Sequence, residues 1–324
     1  MSVYGLAFAA LACTSWVPTC VGQSAAPDAA ANPASVDTNQ IAILRWYPAN
    51  RVTRFATGNA PAGLAYDGSS IWIANAYSNT ITRLRASDGS LLGTYNTGDW
   101  PCGVAFDGAN IWVSNETSNN VFKLRASDGV LLGKYTTGIT PTGVVFDGAA
   151  IWVANSGSGT VTKLAATNGT VLATVTVPNG PRGIAFDGAN IWVTSYGSNF
   201  VTKIRASDGS VLATYQAGTY PIAAVFDGTY IWVANSRDNT VTKLLAADGT
   251  VAGTYNTGSQ PYGLAFDGSH IWVANWGSNN VTKLNAADGR LLGTFTTGRQ
   301  PYAAAFDGTN IWVTNYSDNT VSKM

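Results

Sequence analysis

Apolar and polar positions alternate in a pattern that returns every forty residues along most of the chain. One copy, residues 258–297, contains four short runs suited to strands: Tyr262–Phe266, Ile271–Asn275, Asn280–Leu284 and Leu291–Thr296. Asp-Gly dipeptides separate the first run from the second and the third from the fourth, which is a strong hairpin signal. Each copy is therefore predicted to be a four-stranded antiparallel sheet.

The second run of this copy is apolar on both of its faces. Ile271 and Val273 point to one side of the strand, and Trp272 and Ala274 point to the other. A sheet with one solvated face would alternate apolar with polar residues, so this sheet is predicted to lie between two neighbouring sheets. The third run is more polar, with Thr282 at its centre, and we expect it to lie nearer the outer rim.

The copies share one motif, Phe/Tyr-Asp-Gly-x-x-Ile-Trp, which occurs seven times at a constant spacing of forty residues. The tryptophans of this motif are Trp72, Trp112, Trp152, Trp192, Trp232, Trp272 and Trp312. Repetition at such a period indicates an array of one structural unit, and four-stranded units of this size form propeller blades. The prediction is an all-β, seven-bladed β-propeller over residues 41–324.

The two ends of the repeat region are predicted to complete one blade together. The seventh copy ends at Met324, directly after its third strand, whereas Val52–Gly58 matches the fourth-strand pattern of Gly93–Gly98. We expect this N-terminal strand to close the ring, which removes open sheet edges. Residues 41–45 could also occupy the third-strand position of the closing blade, in competition with residues 321–324, which are nearer the repeat consensus.

The repeat consensus, PxGxAFDGxxIWVANxxSNTVTKLxxxDGxVLxTYxTG, resembles the YVTN/NHL-type bacterial β-propeller repeats over residues 41–324. The resemblance implies the propeller fold and is much less specific for function. Proteins with such repeats include surface-layer and secreted binding proteins. Streptogramin lyases use a related seven-bladed frame.

The charge balance excludes one class of partner. Lys plus Arg and Asp plus Glu number 18 each, so the formal net charge is zero and nucleic-acid binding is not expected. No cofactor motif is present, no apolar run after the N-terminal segment reaches membrane-spanning length, and we expect a monomer without a cofactor.

The N-terminal forty residues do not repeat. Residues 1–22 are largely apolar and are predicted to be an export signal, although no Lys or Arg precedes the apolar run. Residues 23–40 are rich in Ala, Pro and Ser and are predicted to be a linker. A secreted or periplasmic protein is expected, or one attached to the cell surface if the segment stays uncleaved. Cleavage would leave Cys102 without a disulfide partner.

Candidate binding residues follow from the propeller geometry. The loops from fourth to first strands and from second to third strands share one face, and the copies differ mainly there. The predicted contact residues at this mouth are Tyr77, Trp100, Glu116, Arg182, Tyr196, Tyr220, Arg237, Tyr262, Trp276, Arg299, Tyr302 and Tyr316. Such a surface suits a small molecule, a glycan or a peptide or protein partner. The alternative is that the sequences of these exposed loops vary by neutral drift and that the aromatic residues pack on their neighbours without binding a ligand.

Two polar positions recur once in each copy and would form rings around the propeller axis: the asparagine (Ser195 in the fourth copy) that ends the second strand and the aspartate of the Asp-Gly turn. Each ring has a structural and a functional interpretation. Asn75 and its equivalents end the second strands and could bind a polar ligand or cation, but satisfying loop backbone groups is favoured. The Asp-Gly aspartates could form an acidic calcium ring. They lack the clustered spacing of a calcium loop, so a turn role is favoured.

The titratable side chains give little support for catalysis. Streptogramin lyases use a metal-binding Glu and a catalytic His, whereas this chain has one His, His270, and one Glu, Glu116, expected on opposite faces. No catalytic residue and no metal site are predicted. A non-catalytic binding or interaction propeller is favoured, the alternative being a streptogramin lyase-like or other propeller-class enzyme with an unrecognised site.

Overall fold

The computed structural model describes residues 53–324, which form 28 β-strands and no helix. The predicted export signal at 1–22, the linker at 23–40 and residues 41–45 all lie outside the described residues. Nothing within residues 53–324 has the helical length and apolar character needed to cross a bilayer.

The strands form seven four-stranded antiparallel sheets, one for each blade. Blade 1 consists of β2 (Pro61–Tyr66), β3 (Ser70–Asn75), β4 (Thr80–Arg85) and β5 (Leu91–Asn96). Blade 2 consists of β6 (Pro101–Phe106), β7 (Asn110–Asn115), β8 (Asn120–Arg125) and β9 (Leu131–Thr136). Blade 3 consists of β10 (Pro141–Phe146), β11 (Ala150–Asn155), β12 (Thr160–Ala165) and β13 (Val171–Thr176). Blade 4 consists of β14 (Pro181–Phe186), β15 (Asn190–Ser195), β16 (Phe200–Arg205) and β17 (Val211–Gln216). Blade 5 consists of β18 (Pro221–Phe226), β19 (Tyr230–Asn235), β20 (Thr240–Leu245) and β21 (Val251–Asn256). Blade 6 consists of β22 (Pro261–Phe266), β23 (His270–Asn275), β24 (Asn280–Asn285) and β25 (Leu291–Thr296). Blade 7 consists of β26 (Pro301–Phe306), β27 (Ile311–Asn315), β28 (Thr320–Lys323) and β1 (Thr53–Ala56).

The predicted seven-bladed propeller is confirmed, and the innermost strands close into a ring. Each first strand contacts the first strand of the next blade, and β26 contacts β2. In blade 7, β1 pairs antiparallel with β28, with Phe55 opposite Val321. The third strand of the closing blade is therefore made by residues 320–323, the favoured alternative. Phe55 stacks on Trp312 with ring centroids 5.5 Å apart, as Tyr95 does on Trp72 in blade 1.

The core lies between the blades. One cluster joins Trp72, Ala74 and Ile81 of blade 1 to Ile111 and Val113 of blade 2, and equivalent clusters occur around the ring. Both faces of each second strand are therefore buried, as predicted. The outermost strands instead expose large apolar side chains such as Leu91 and Leu131.

Each buried tryptophan is bonded to the aspartate of its own Asp-Gly turn. In blade 3, Trp152 Nε1 donates to Asp147 Oδ2 at 2.7 Å, and Oδ1 accepts from the backbone N–H groups of Ala149 and Ala150. The same indole–carboxylate bond, at 2.7–2.8 Å, recurs in the other six blades. The favoured turn role of these aspartates is thus confirmed, with the indole bond as an added function.

The third strand lies outside the second in each blade, nearer the rim, as expected. Thr282 is nevertheless only 2 % exposed, and its hydroxyl accepts a hydrogen bond from Asn275 Nδ2 at 2.9 Å inside the blade. The strand-ending asparagines also accept from the loop that enters the first strand of the same blade: Asn75 Oδ1 accepts from the Gly58 backbone N–H at 3.1 Å. These contacts agree with the favoured structural role of the asparagines.

We expect Asp147→Ala to lower the free energy of unfolding by about 2–4 kcal/mol. The substitution removes three hydrogen bonds and leaves the buried Trp152 N–H without an acceptor. Urea denaturation measures the change. Asp248→Ala is the matched control, because the Asp248 carboxylate accepts a hydrogen bond from the Thr250 backbone N–H in an exposed turn and contacts no tryptophan N–H. A loss as large in the control as in Asp147→Ala would contradict the role assigned to the indole bond.

The propeller is expected to lose stability in acid. Burial alone raises the pKa of Asp107, Asp187, Asp267 and Asp307, but donors from the paired tryptophan and the turn outweigh it, so each pKa lies below its ordinary value. A carboxyl group whose pKa is lowered by folding stabilises the folded state at every pH above its pKa in the unfolded chain, about 3.9. This contribution is lost as the pH falls through the lower pKa of the folded state. The melting temperature should stay level from pH 7 to 5 and drop below pH 4. A variant with all four changed to Asn should show a flatter dependence. An equally steep drop in that variant would argue against these carboxylates.

Candidate functional site

The two sets of loops predicted to share a face are hydrogen-bonded to each other. The Glu116 backbone N–H donates to the carbonyl of Trp100 at 2.8 Å, and that of Trp276 donates to Gln260 at 2.9 Å. The loop after each second strand therefore lies against the loop that enters the first strand of the same blade. We call this side of the propeller the mouth.

The residue before each repeat proline is held in a left-handed conformation by the preceding blade. Trp100 has a φ of 57° and Tyr220 a φ of 63°, and their backbone N–H groups donate to Asn79 Oδ1 and Asn199 Oδ1. Ala60 and other residues at this position share the conformation, so it belongs to the frame. Two predicted contact residues thus stand at backbone positions that the ring itself constrains.

The residue after each repeat proline lies at the central channel. These residues are Ala62, Cys102, Thr142, Arg182, Ile222, Tyr262 and Tyr302. All but Ala62 line a cavity of about 160 Å³. The next residue is usually glycine, because the innermost strands approach closely: a Cβ on Gly143 would lie 2.3 Å from the Arg182 carbonyl oxygen. The narrow ring therefore directs six of the seven variable side chains toward one small space.

Arg182 crosses this channel from blade 4 to the opposite side. Its guanidinium donates to the Tyr302 hydroxyl at 2.8 Å and lies 5.1 Å from the ring centroid of Tyr262. The Tyr302 hydroxyl also lies 3.4 Å from Cys102 Sγ, and either group can donate. Arg182 is thus the one charged side chain among the seven.

The aromatic residues of the mouth form a continuous surface, which we call the aromatic patch. It consists of Tyr77, Trp100, Tyr262, Trp276, Tyr302 and Tyr316. Ring centroids are 4.8 Å apart for Tyr77 and Trp100, 5.7 Å for Tyr77 and Tyr316, and 5.2 Å for Trp276 and Tyr316. Tyr77 is 59 % exposed and Trp100 38 % exposed. The patch therefore extends from partly buried rings at the channel to open rings at the rim.

The remaining predicted contact residues are placed less uniformly. Tyr196 and Tyr220 pair at 4.8 Å, and the Arg237 guanidinium lies 4.6 Å from the Tyr220 ring centroid, which forms a second, smaller cluster. Arg299 pairs with Asp318 at 2.6 Å, with 70 % of its side chain exposed, and it lines a surface depression together with Trp276. The structure thus brings most of the predicted residues together, with Arg299 at the edge of the aromatic patch.

Glu116 is a half-buried carboxyl group of the mouth. Burial raises the pKa of its carboxyl above the ordinary value, although Arg182 opposes the rise. Among residues 53–324, no ion pair involves either Glu116 or Arg182. Burial also raises the pKa of Tyr302 and of Cys102, so both stay protonated at neutral pH. Arg182 in the channel and Glu116 at the mouth therefore interact electrostatically without forming an ion pair.

Three channel residues were missing from the predicted contact residues: Cys102, Thr142 and Ile222. Their signal was present in the sequence, because each directly follows a repeat proline at a position that differs in nearly every copy. Only the ring geometry shows that this position faces the axis.

His270 lies on the side opposite the mouth. Its Nδ1 is 3.0 Å from Asp267 Oδ2 of its own Asp-Gly turn, so it is separated from Glu116 as expected. Within residues 53–324, no group of three or more His, Cys, Asp or Glu side chains is arranged to hold a metal ion.

The comparisons with known proteins establish the fold. The sequence matches no protein-family model and no curated protein. Among solved structures, Kuenenia stuttgartiensis hydrazine synthase is similar, with a TM-score of 0.74 and 21 % identity over 82 % of this chain and 95 % of that chain. Virginiamycin B lyase from Staphylococcus aureus gives 0.73 and 17 % over 84 % and 98 %, and a streptogramin B lyase gives 0.72 and 19 % over 84 % and 96 %. The likeness is one of fold.

We expect Glu116→Gln to raise the melting temperature at pH 7 to 8. Because folding raises the pKa of Glu116, its contribution to stability is greatest at low pH and is lost as pH rises through the folded value. The variant should therefore match the parent near pH 4, about the unfolded pKa of a glutamate, and exceed it at neutral pH. Glu116→Gln melting below the parent at pH 8 would contradict the burial of an unpaired carboxylate.

Proposed function

We propose that this propeller is a non-catalytic binding module that holds its ligand on the aromatic patch at the channel mouth. The supporting observation is that the variable positions of different blades produce one connected surface of Tyr and Trp rings. Drift of isolated loops would not by itself favour such a surface. Aromatic rings provide large contact areas at a low entropic cost.

The shape of the patch favours a ligand with at least one flat face. Tyr77 and Trp100 present open rings at the rim, whereas Tyr262 and Tyr302 are partly buried beside the channel. A sugar ring or an aromatic side chain could stack on such a surface while one end reaches the channel. The ligand classes proposed are therefore small molecules, glycans and peptide segments, the last either free or part of a protein partner.

An enzymatic role is the alternative. Its support is the similarity in fold to virginiamycin B lyase and streptogramin B lyase, at identities of 17 % and 19 %. A lyase of this kind would need groups that act on a substrate at the mouth, where Glu116 is a titratable side chain with a raised pKa. Turnover of a streptogramin substrate that Glu116→Gln abolishes would support the alternative over simple binding. We further propose that the protein is exported, in line with its apolar N-terminal segment, and that it is a monomer.

We expect Trp276→Ala and Tyr316→Ala to weaken binding about tenfold or more to any glycan or peptide that the parent protein retains on an array. Each substitution removes a ring from the middle of the aromatic patch, and such anchor rings dominate binding free energy. The melting temperatures should change little, because both rings lie outside the clusters between the blades.

Leu131→Ala is the matched control. Leu131 is an exposed apolar side chain, 41 % accessible, on an outermost strand away from the mouth. Retention that falls equally in Leu131→Ala, or that survives both mouth substitutions, would contradict the proposed site.

A further inference from the structure

We propose that the ligand carries a single carboxylate, which binds the Arg182 guanidinium while the body of the ligand lies on the aromatic patch. This inference rests on the proposed function and specifies its ligand class. It is carried by the juxtaposition of an unpaired arginine, a cavity and stacked tyrosines at the channel.

Arg182 has unused binding capacity. A guanidinium carries five N–H donors in a planar fork, and within residues 53–324 this one makes a single side-chain hydrogen bond, to Tyr302. Arg182 is half-buried and lines the cavity of about 160 Å³ at the channel. A planar oxyanion can take two of these donors at once.

The surroundings hold the guanidinium in place for such a ligand. Tyr262 lies 5.1 Å and Tyr302 6.0 Å from the guanidinium carbon, measured to the ring centroids. These contacts and the Tyr302 hydrogen bond restrict a long side chain that would otherwise lose conformational entropy on binding. Arg182 is therefore already ordered before an anion arrives.

Charge favours a monoanion over a phosphate ester. Glu116 lies close enough to Arg182 for the two charges to interact, although they form no ion pair. A doubly charged phosphate would meet one guanidinium and the repulsion of Glu116, whereas one carboxylate is balanced by Arg182. The same repulsion means that neutralising Glu116 should strengthen the binding of a carboxylate.

The position of Tyr302 between Arg182 and the rest of the aromatic patch determines where the ligand body would lie. Tyr302 bonds Arg182 and also belongs to the aromatic patch, with Tyr262 at 5.0 Å and Tyr316 at 5.8 Å. A carboxylate on Arg182 thus places its attached group directly against these rings. An aryl acid, or an acidic sugar or peptide C-terminus with a flat neighbouring group, meets both requirements.

The test compares an acid with its neutral amide on the whole protein. The probes are indole-3-acetate and indole-3-acetamide, which differ in charge but share the aromatic body, and affinities come from ligand-observed NMR titration. We expect the acid to bind the parent about tenfold to a hundredfold more tightly than the amide. Equal affinities, or no binding of the acid, would overturn the inference.

Variants assign the preference to its residues. Arg182→Met should remove the preference for the acid, Arg182→Lys should keep part of it, and Glu116→Gln should tighten the acid alone. Arg205→Met is the matched control, because Arg205 pairs with Asp208 in an exposed Asp-Gly turn on the side opposite the mouth, and it should change the affinity of neither probe. A preference that survives Arg182→Met, or disappears in Arg205→Met, would also overturn the inference. If Arg182→Met fails to fold, Arg182→Lys and the parent comparison decide the result.

The outcome is separable from that of the proposed function. Acid and amide binding equally, with both lost in Trp276→Ala, would leave the aromatic binding site standing and reject the carboxylate. A carboxylate preference that depends on Arg182 but not on Trp276 would support the anion site and place the ligand body elsewhere.

Discussion

The structure depends on burying one indole ring between each pair of blades without leaving its N–H group unsatisfied. A tryptophan provides enough apolar area to join two sheets, but its nitrogen needs an acceptor in a region from which water is excluded. The aspartate of the Asp-Gly turn lies five residues earlier and supplies it, as Asp147 does for Trp152. The same carboxylate orders the turn, so the hairpin geometry and the interface between blades are set by one side chain. A ring of equal wedges results from repeating this unit seven times.

A symmetric ring has an axis, and function can arise there when the copies differ. The residue after the repeat proline shows this most clearly, since the proline and the following small residue keep the strands close while the side chain between them varies. Arg182, Tyr262 and Tyr302 come from three blades and still contact one another. The frame therefore needs no change to host a specific site, because substitutions at this position alter only the lining of the channel.

Much of the fold could be predicted from the sequence, because its signals are local and repeated. Strand limits in blade 6 agree within one residue, since Asp-Gly turns and Pro261 mark them directly. The burial of Thr282 was not predicted, because a threonine in a partly polar strand is expected to face solvent unless its hydrogen-bond partner, Asn275, is known. The mouth residues could be identified as a group from loop variability. The contact of Arg182 with Tyr302 could not, since 120 residues separate them and only ring closure brings them together.

The closing blade has a consequence for biosynthesis. Ala60 and Asn319, which bond to each other across the seam, are 259 residues apart in the chain. At about 5–20 residues per second, the strand β1 leaves the ribosome roughly 13 to 50 s before its partner β28. During that interval β1 lacks its partner strand and has only the packing of Phe55 on blade 1, whereas the first six blades can each assemble from consecutive hairpins. The last step of maturation is thus the capture of the oldest strand by the newest one, so a nascent chain stalled before β28 would expose an unsealed wedge to chaperones and proteases.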